Sequence, residues 1–264
     1  MLGITTTNAR VGGFRGGKKF NAEYTAILAR ATDLGYTKPS ASQQVKQNDL
    51  ITTFKTANIW SKMDVFYMFA NDGSKEFATL NWKNPNAHQC TLINSPSFTS
   101  NDGFLGNGTS SYIDTNFNPA SSGVNYTLND ASIFTYNKTF LLNAFLSGTD
   151  TGAFNCLRMS PASGNQRINM GVSGAFVPTV DFDLATFKWR KLSRTNSTTG
   201  IASKNTTQTT HIGTSVSIES QNQLILKSAL NFAGLNVAAF GMGANLVSEN
   251  TDHYNAINNY ITTL

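Results

Sequence analysis

A chain of 264 residues with 13% charged residues carries about half the usual charged fraction of roughly 25% for a soluble protein. Asn, Thr, Ser and Gln supply the polarity and 21 glycines the turns, which suits many short strands in polar loops and is unlike a housekeeping α/β enzyme. The net charge is +5, and all of the excess lies up to Lys62, where nine Lys/Arg face three Asp/Glu; beyond it eleven face twelve.

Residues 1–20 read as a basic, glycine-rich arm. Four glycines around Phe14 and Arg15 make neither a stable helix nor a central strand. Residues 21–62 read as a helical hairpin. Tyr24, Ile27, Leu28 and Ala31 share one helix face, and Gly35 stands where a glycine stop is expected. Ser40-Ala41-Ser42-Gln43 matches a capping box, with Pro39 before it. The helix that follows places Leu50, Ile51, Phe54 and Ala57 together and is predicted to end near Trp60.

Residues 63–264 read as a β-sandwich closed by a short helix. Val65–Phe69 is apolar on both faces, as in a strand covered on both sides. Arg167–Val172 alternates like a half-exposed strand. Leu224–Leu226 and Leu235–Met242 predict further strands, the latter closed by Gly241 and Gly243. Asn71-Asp72-Gly73, Asn101-Asp102-Gly103 and Asn107-Gly108 mark turns. At the end, Ser248 is the expected N-cap, Glu249 and Asp252 complement the helix dipole, and Tyr254, Ile257 and Ile261 form the packing face.

Two blocks, Asn81–Asn86 and Gly103–Thr115, together with Leu192–Asn196 and the closing Tyr254–Tyr260, resemble the concanavalin A-like (LamG-type) lectin modules of bacteriophage and prophage structural proteins. The resemblance spans roughly residues 21–264. It implies a mainly β fold, a jelly-roll β-sandwich with an N-terminal helical hairpin and a short C-terminal helix. It also implies a place in a virion.

Such folds include glycosidases, which need two carboxylates about 5 Å apart in the retaining case. None of Glu23, Glu76, Glu219 and Glu249 has a second acid two or four residues away on a convincing strand, and Asp181-Phe182-Asp183 reads as a loop beside Pro178. His88, His211 and His253 lack ligand spacing, and the arm's glycines do not form a phosphate-binding loop. The expectation is a non-enzyme without a cofactor. Asp102, Asp114 and Asp130 are calcium candidates by composition alone. Cys90 and Cys156 read better as buried thiols than as a disulfide framework.

The expected role is a virion structural protein of capsid-decoration or head-fibre type, made in the host cytoplasm. Arg10, Arg15, Lys18 and Lys19 would meet acidic groups of another capsid or tail protein, with Phe14 as apolar anchor; a solvated tail is the plainer alternative. The alternative function is a tail-associated protein recognising host surface glycan. Trp82, Tyr112 and Trp189 are then the aromatic candidates, although aromatics in a sandwich more often belong to its core, and Arg190, within Lys188–Lys191 and near Arg194, could contact an acidic polysaccharide or lie on an exposed strand face. A homo-oligomer is expected. Only Phe14 and Phe20 interleave the arm's cations, too few aromatics to expect DNA binding. No opening apolar run marks a signal peptide, and no stretch reaches the ~20 apolar residues of a membrane span.

Overall fold

The computed structural model describes residues 19–139, 145–150, 157–158, 167–170 and 188–264. Among these residues five α-helices form: α1 (Ala22–Asp33), α2 (Ala41–Thr56), α3 (Lys75–Ala78), α4 (Pro119–Ser122) and α5 (Asn250–Thr262). The first eight strands are β1 (Met63–Met68), β2 (Thr91–Ile93), β3 (Ser97–Thr99), β4 (Gly103–Leu105), β5 (Tyr112–Asp114), β6 (Ala131–Tyr136), β7 (Phe145–Gly148) and β8 (Leu157–Arg158). The rest are β9 (Trp189–Arg194), β10 (Thr199–Lys204), β11 (Thr207–Ile212), β12 (Leu224–Ile225), β13 (Lys227–Ser228), β14 (Asn231–Phe232), β15 (Asn236–Val237) and β16 (Ala239–Gly243).

All pairings are antiparallel. A six-stranded back sheet runs β1-β16-β6-β9-β10-β11, and a five-stranded front sheet runs β2-β5-β12-β7-β8. The fold is a mainly β sandwich of antiparallel sheets, with α1, α2 and α5 packed outside the back sheet. Alternation along β1 shows how the layers form. Val65 and Tyr67 enter the core between the sheets, with Ile113, Ile133, Leu146, Leu192, Ile225 and Phe240. Phe66 and Met68 face the other way, into a second core with Tyr24, Ile27, Phe54, Phe134, Trp189 and Ile257. The expected double cover of β1 is therefore real. Each such side chain contributes about 1.5–3 kcal/mol of burial, and the helical hairpin shares this second core with the sheet and α5.

The hairpin follows its sequence signals closely. Asn21 caps α1 by accepting from the Tyr24 N–H at 2.9 Å, and Gly35 follows the helix at φ +71°. Ser40 caps α2 through the Gln43 N–H. The reciprocal half of the capping box, however, is made with the Asn71–Gly73 turn. Asp72 Oδ1 accepts from the Ser40 N–H at 2.9 Å, and Gln43 Oε1 accepts from the Asp72 N–H at 2.7 Å. A buried relay joins the helices to the sheet: Tyr24 Oη donates to Gln47, Gln47 to Tyr260 Oη, and Tyr260 Oη to the Ala70 carbonyl.

Several local expectations are corrected. Among Arg167–Val172, residues 167–170 form a bend with Asn169 at φ +56°, where its amide bonds Thr127 and Leu128 carbonyls; residues 171–172 lie outside the described residues. Leu235–Met242 is two strands, because the chain changes sheets at Ala238. Gly241 lies inside β16, where an added Cβ would come 2.3 Å from the Phe134 ring. Helix α2 stops at Thr56, before Asn58 at φ +56°, and a short 3₁₀ turn occupies Trp60–Lys62. Glu249, not Ser248, caps α5; the cap has no side-chain hydrogen bond because the Glu249 carboxylate reaches Lys62 Nζ at 2.7 Å.

Candidate ligand-binding face

Strand β5 sets the geometry. Ile113 points into the inter-sheet core, so Tyr112 and Asp114 share the opposite, outer face of the front sheet. Beside it, β12 leaves the sheet at Leu226, which is fully buried and sits at φ +65°. A bulky residue in the left-handed region costs about 1–3 kcal/mol. Two backbone bonds hold it there, Leu226 N to Leu146 O and Ala233 N to Leu226 O, both 2.9 Å.

That corner launches the β13–β14 hairpin, which turns through Ala229 at φ +51° and presents Leu230 with 89% of its surface exposed. Gly148 makes room for it: a Cβ there would lie 2.9 Å from Ser228 Cα. The hairpin brings Lys227 over the sheet face. Its ammonium stands 4.4 Å from the Tyr112 ring centroid and 5.4 Å from that of Phe232, and the two half-buried rings are 6.1 Å apart. Asp150, at the end of β7, accepts from Lys227 Nζ.

A depression of about 450 Å³ adjoins this cluster, lined by Asp114, Asn118, Asp150, Ser220, Gln221 and Asn222, with Leu224 as an apolar wall. Its polar groups are fixed in advance. Asp114 Oδ1 accepts from the Asn116 N–H at 2.7 Å and from Asn222 Nδ2 at 3.1 Å, and Asn118 Nδ2 donates to the Ser220 carbonyl at 2.7 Å. Glu219 is buried nearby in sequence, and burial pushes its carboxyl up, but it does not line the depression. Aromatic faces next to oriented carboxylates and amides can hold a polyhydroxylated ligand.

No protein-family model matches the chain, and no curated protein matches it. Solved structures similar to it include a mutant of Trypanosoma rangeli sialidase displaying trans-sialidase activity, at 9% identity and TM-score 0.49, covering 81% of this chain and 39% of that one. The receptor-binding domain of botulinum neurotoxin C/D mosaic serotype is similar at 7% identity and TM-score 0.45, over 74% of this chain and 51% of that one. Domain 4 of a GH43 extracellular arabinanase from Geobacillus stearothermophilus, in complex with arabinotriose, is similar at 13% identity and TM-score 0.41, over 73% and 98%. The chain thus spans about half or less of the first two proteins' length. The chemistry of the face rests on its own residues.

Of the aromatic and basic residues expected at a glycan site, Tyr112 alone is on this face. Trp82 is 1% exposed, edge-on to Phe66 and Tyr24 in the core beneath the helices. Trp189 and Arg190 are buried because β9 is an inner strand of the back sheet, covered on both faces. Burial pushes the Arg190 guanidinium down to about 10. Lys191 donates to the Leu246 carbonyl, and Arg194 to the Ile168 and Gly213 carbonyls. The basic run is thus neither an exposed strand face nor a surface for an acidic polysaccharide; only Lys188 of it is exposed.

Lys19 is exposed, whereas Arg10, Phe14, Arg15 and Lys18 lie outside the described residues, as do Cys156 and Asp181–Asp183. Cys90 is a buried free thiol, and burial pushes its pKa up. The three calcium candidates are dispersed in their roles: Asp102 pairs with Lys138 at 2.8 Å, Asp130 accepts from the Asn245 N–H at 2.6 Å, and Asp114 belongs to the depression. Among the described residues no three His, Cys, Asp or Glu side chains come together as a metal site. Lys227, Phe232 and Asp150 were not legible as site residues, since no motif marks them and the left-handed turn at Leu226 has no glycine to signal it.

Proposed function

We propose that this chain is a non-enzymatic carbohydrate-binding β-sandwich, recognising a neutral glycan on the Tyr112–Phe232 face. The observation that carries this is the strained corner at Leu226. A bulky residue held in the left-handed region that favours glycine places Lys227 over two aromatic rings beside a ready-made polar depression. Strain of that kind concentrates at functional sites. Two carboxylates, Asp114 and Asp150, line the depression, against the single ammonium of Lys227, so the balance of charge opposes an acidic sugar. Both carboxylates are occupied by the protein's own donors, which supports binding over hydrolysis.

A panel of neutral and acidic glycans, screened against the full chain and then titrated calorimetrically, tests the proposal. Tyr112→Ala and Phe232→Ala should each lower affinity for a neutral hit at least tenfold, about 1.4 kcal/mol, with unchanged circular dichroism. Binding that ignores both substitutions, or hits confined to acidic glycans, overturns it.

The same chain is further proposed to be a virion component, docked on a phage capsid or tail through residues 1–20. The concentration of basic excess up to Lys62, with five glycines in the arm, supports this. Deleting residues before Asn21 keeps the α1 cap, so co-sedimentation with particles lacking the protein separates docking from folding. Salt-sensitive binding lost with the arm is expected; arm-independent binding sinks the docking role.

A further inference from the structure

The two edges of the back sheet are treated differently. At β1 the edge is closed: the Trp82 N–H donates to the Phe66 carbonyl at 2.8 Å, and Asn81 Oδ1 accepts from the Phe66 N–H at 3.2 Å. At β11 it is open. The β10–β11 hairpin turns through Asn205, at φ +47°, and Thr206, so Lys204 and Thr207 form its closing pair. Hydrogen-bonded pairs alternate from there, which leaves Gln208, Thr210 and Ile212 turning their N–H and C=O groups away from β10. Among the described residues no backbone group bonds to them on that side.

An exposed edge is ordinarily blunted by Lys, Pro, a bulge or a covering segment. Strand β11, Thr-Gln-Thr-Thr-His-Ile, has no lysine, no proline and no acid, and its register with β10 runs without a bulge. Ile212 is 79% exposed, and Val216 beyond it is 63% exposed.

We infer that β11 is the interface for a second copy of this chain, pairing antiparallel with its twofold mate into one continuous twelve-stranded sheet. Self-pairing is what the strand's chemistry permits best. About a twofold at Thr210, Gln208 meets Ile212 of the partner subunit, and Thr210 meets its own counterpart. Roughly six backbone hydrogen bonds form from groups that otherwise face water. No like charges oppose each other, a condition that a strand with even one Lys or Glu near its centre would break. The exposed Ile212 is then covered.

The test is sedimentation equilibrium of the full chain at micromolar concentration. The native chain should sediment at twice its monomer mass, with little salt dependence. Thr210→Lys puts two ammonium groups face to face at the twofold and should give a monomer with unchanged circular dichroism, because Thr210 is exposed. Thr210→Cys should cross-link to a dimer on mild oxidation, while Thr207→Cys, away from the twofold, should not. A native monomer at 100 μM, or an oligomer that Thr210→Lys leaves intact and Thr210→Cys does not cross-link, overturns the inference.

Discussion

Lys191 and His253 are two buried bases on facing elements, and among the described residues neither is hydrogen-bonded to a carboxylate. Lys191 leaves the centre of the back sheet toward α5 and bonds the Leu246 carbonyl. His253 comes down from α5 into a ring of Phe134, Trp189 and Phe54 at centroid distances of 4.4, 4.7 and 5.4 Å, with no partner for either ring nitrogen. Burial lowers the Lys191 ammonium to about 7 from 10.5; burial, then Lys191, holds the His253 imidazole well below 6.5.

The sign of the pH dependence follows. Both groups bind protons less readily folded than unfolded, so stability rises with pH wherever the unfolded chain holds the extra proton. For Lys191 that window runs from about 7 to 10.5, and the full difference is on the order of 4–5 kcal/mol at 1.36 kcal/mol per unit. Below 7 its contribution is flat, and His253 adds a further loss as pH falls below 6.5. Guanidinium unfolding should show stability lost as pH falls below 6.5 and gained from pH 7 to about 9, above which the Cys90 thiol and the buried tyrosines, whose pKa values burial raises, oppose the rise. Lys191→Met should flatten the alkaline limb and, after the cost of an unpaired Leu246 carbonyl, stabilise the protein at pH 7 by roughly 1–3 kcal/mol.

Asp150→Asn separates binding from stability. The pair with Lys227 is partly exposed, 61% on the aspartate side, so its loss should move the unfolding free energy by less than ~1 kcal/mol. Glycan affinity should fall by more than that, because Lys227 is no longer held over Tyr112. Equal losses in both measurements would mean that the pair only supports the fold.

Gly148→Ala should act on the ligand face from beneath. A methyl group there meets Ser228 backbone at 2.9 Å, and the hairpin must lift or the sheet must shift. Overpacking of this kind costs about 1–3 kcal/mol. The expected readout is a destabilised chain whose affinity for neutral glycan also drops, measured by calorimetry below its melting range.

Ala229→Gly should do the reverse. Ala229 carries a Cβ at φ +51° in the hairpin turn, and relieving it should add about 1 kcal/mol, less some unfolded-state entropy. Binding should be unchanged, since Ala229 contributes no group to the cluster. A lower melting temperature would show that the turn is not strained.

The helical hairpin was legible because local rules govern it: a 3.6-residue repeat, a capping serine, and Gly35 after the helix. The double cover of β1 was legible from Val65–Phe69 for the same reason. Strand β9 was not. Its Arg, Lys and Ser outnumber Trp189 and Leu192, and the carbonyls that satisfy Lys191 and Arg194 come from segments about 19 to 55 residues away, which no local pattern announces. Tyr112 could be picked out as an aromatic beside a turn. Its partners could not, because Lys227 and Phe232 arrive through a corner whose left-handed residue is a leucine.

The shared core outside the back sheet fixes what can be exchanged between related molecules. A crossover at Met63 would strip the helices from Phe66, Met68, Phe134 and Trp189 and leave a greasy wall that recruits neighbours indiscriminately. The smallest inheritable cassette therefore starts near Phe20, and shuffling of this module by recombination should favour breakpoints ahead of it, where the α1 cap at Asn21 and the second core stay whole.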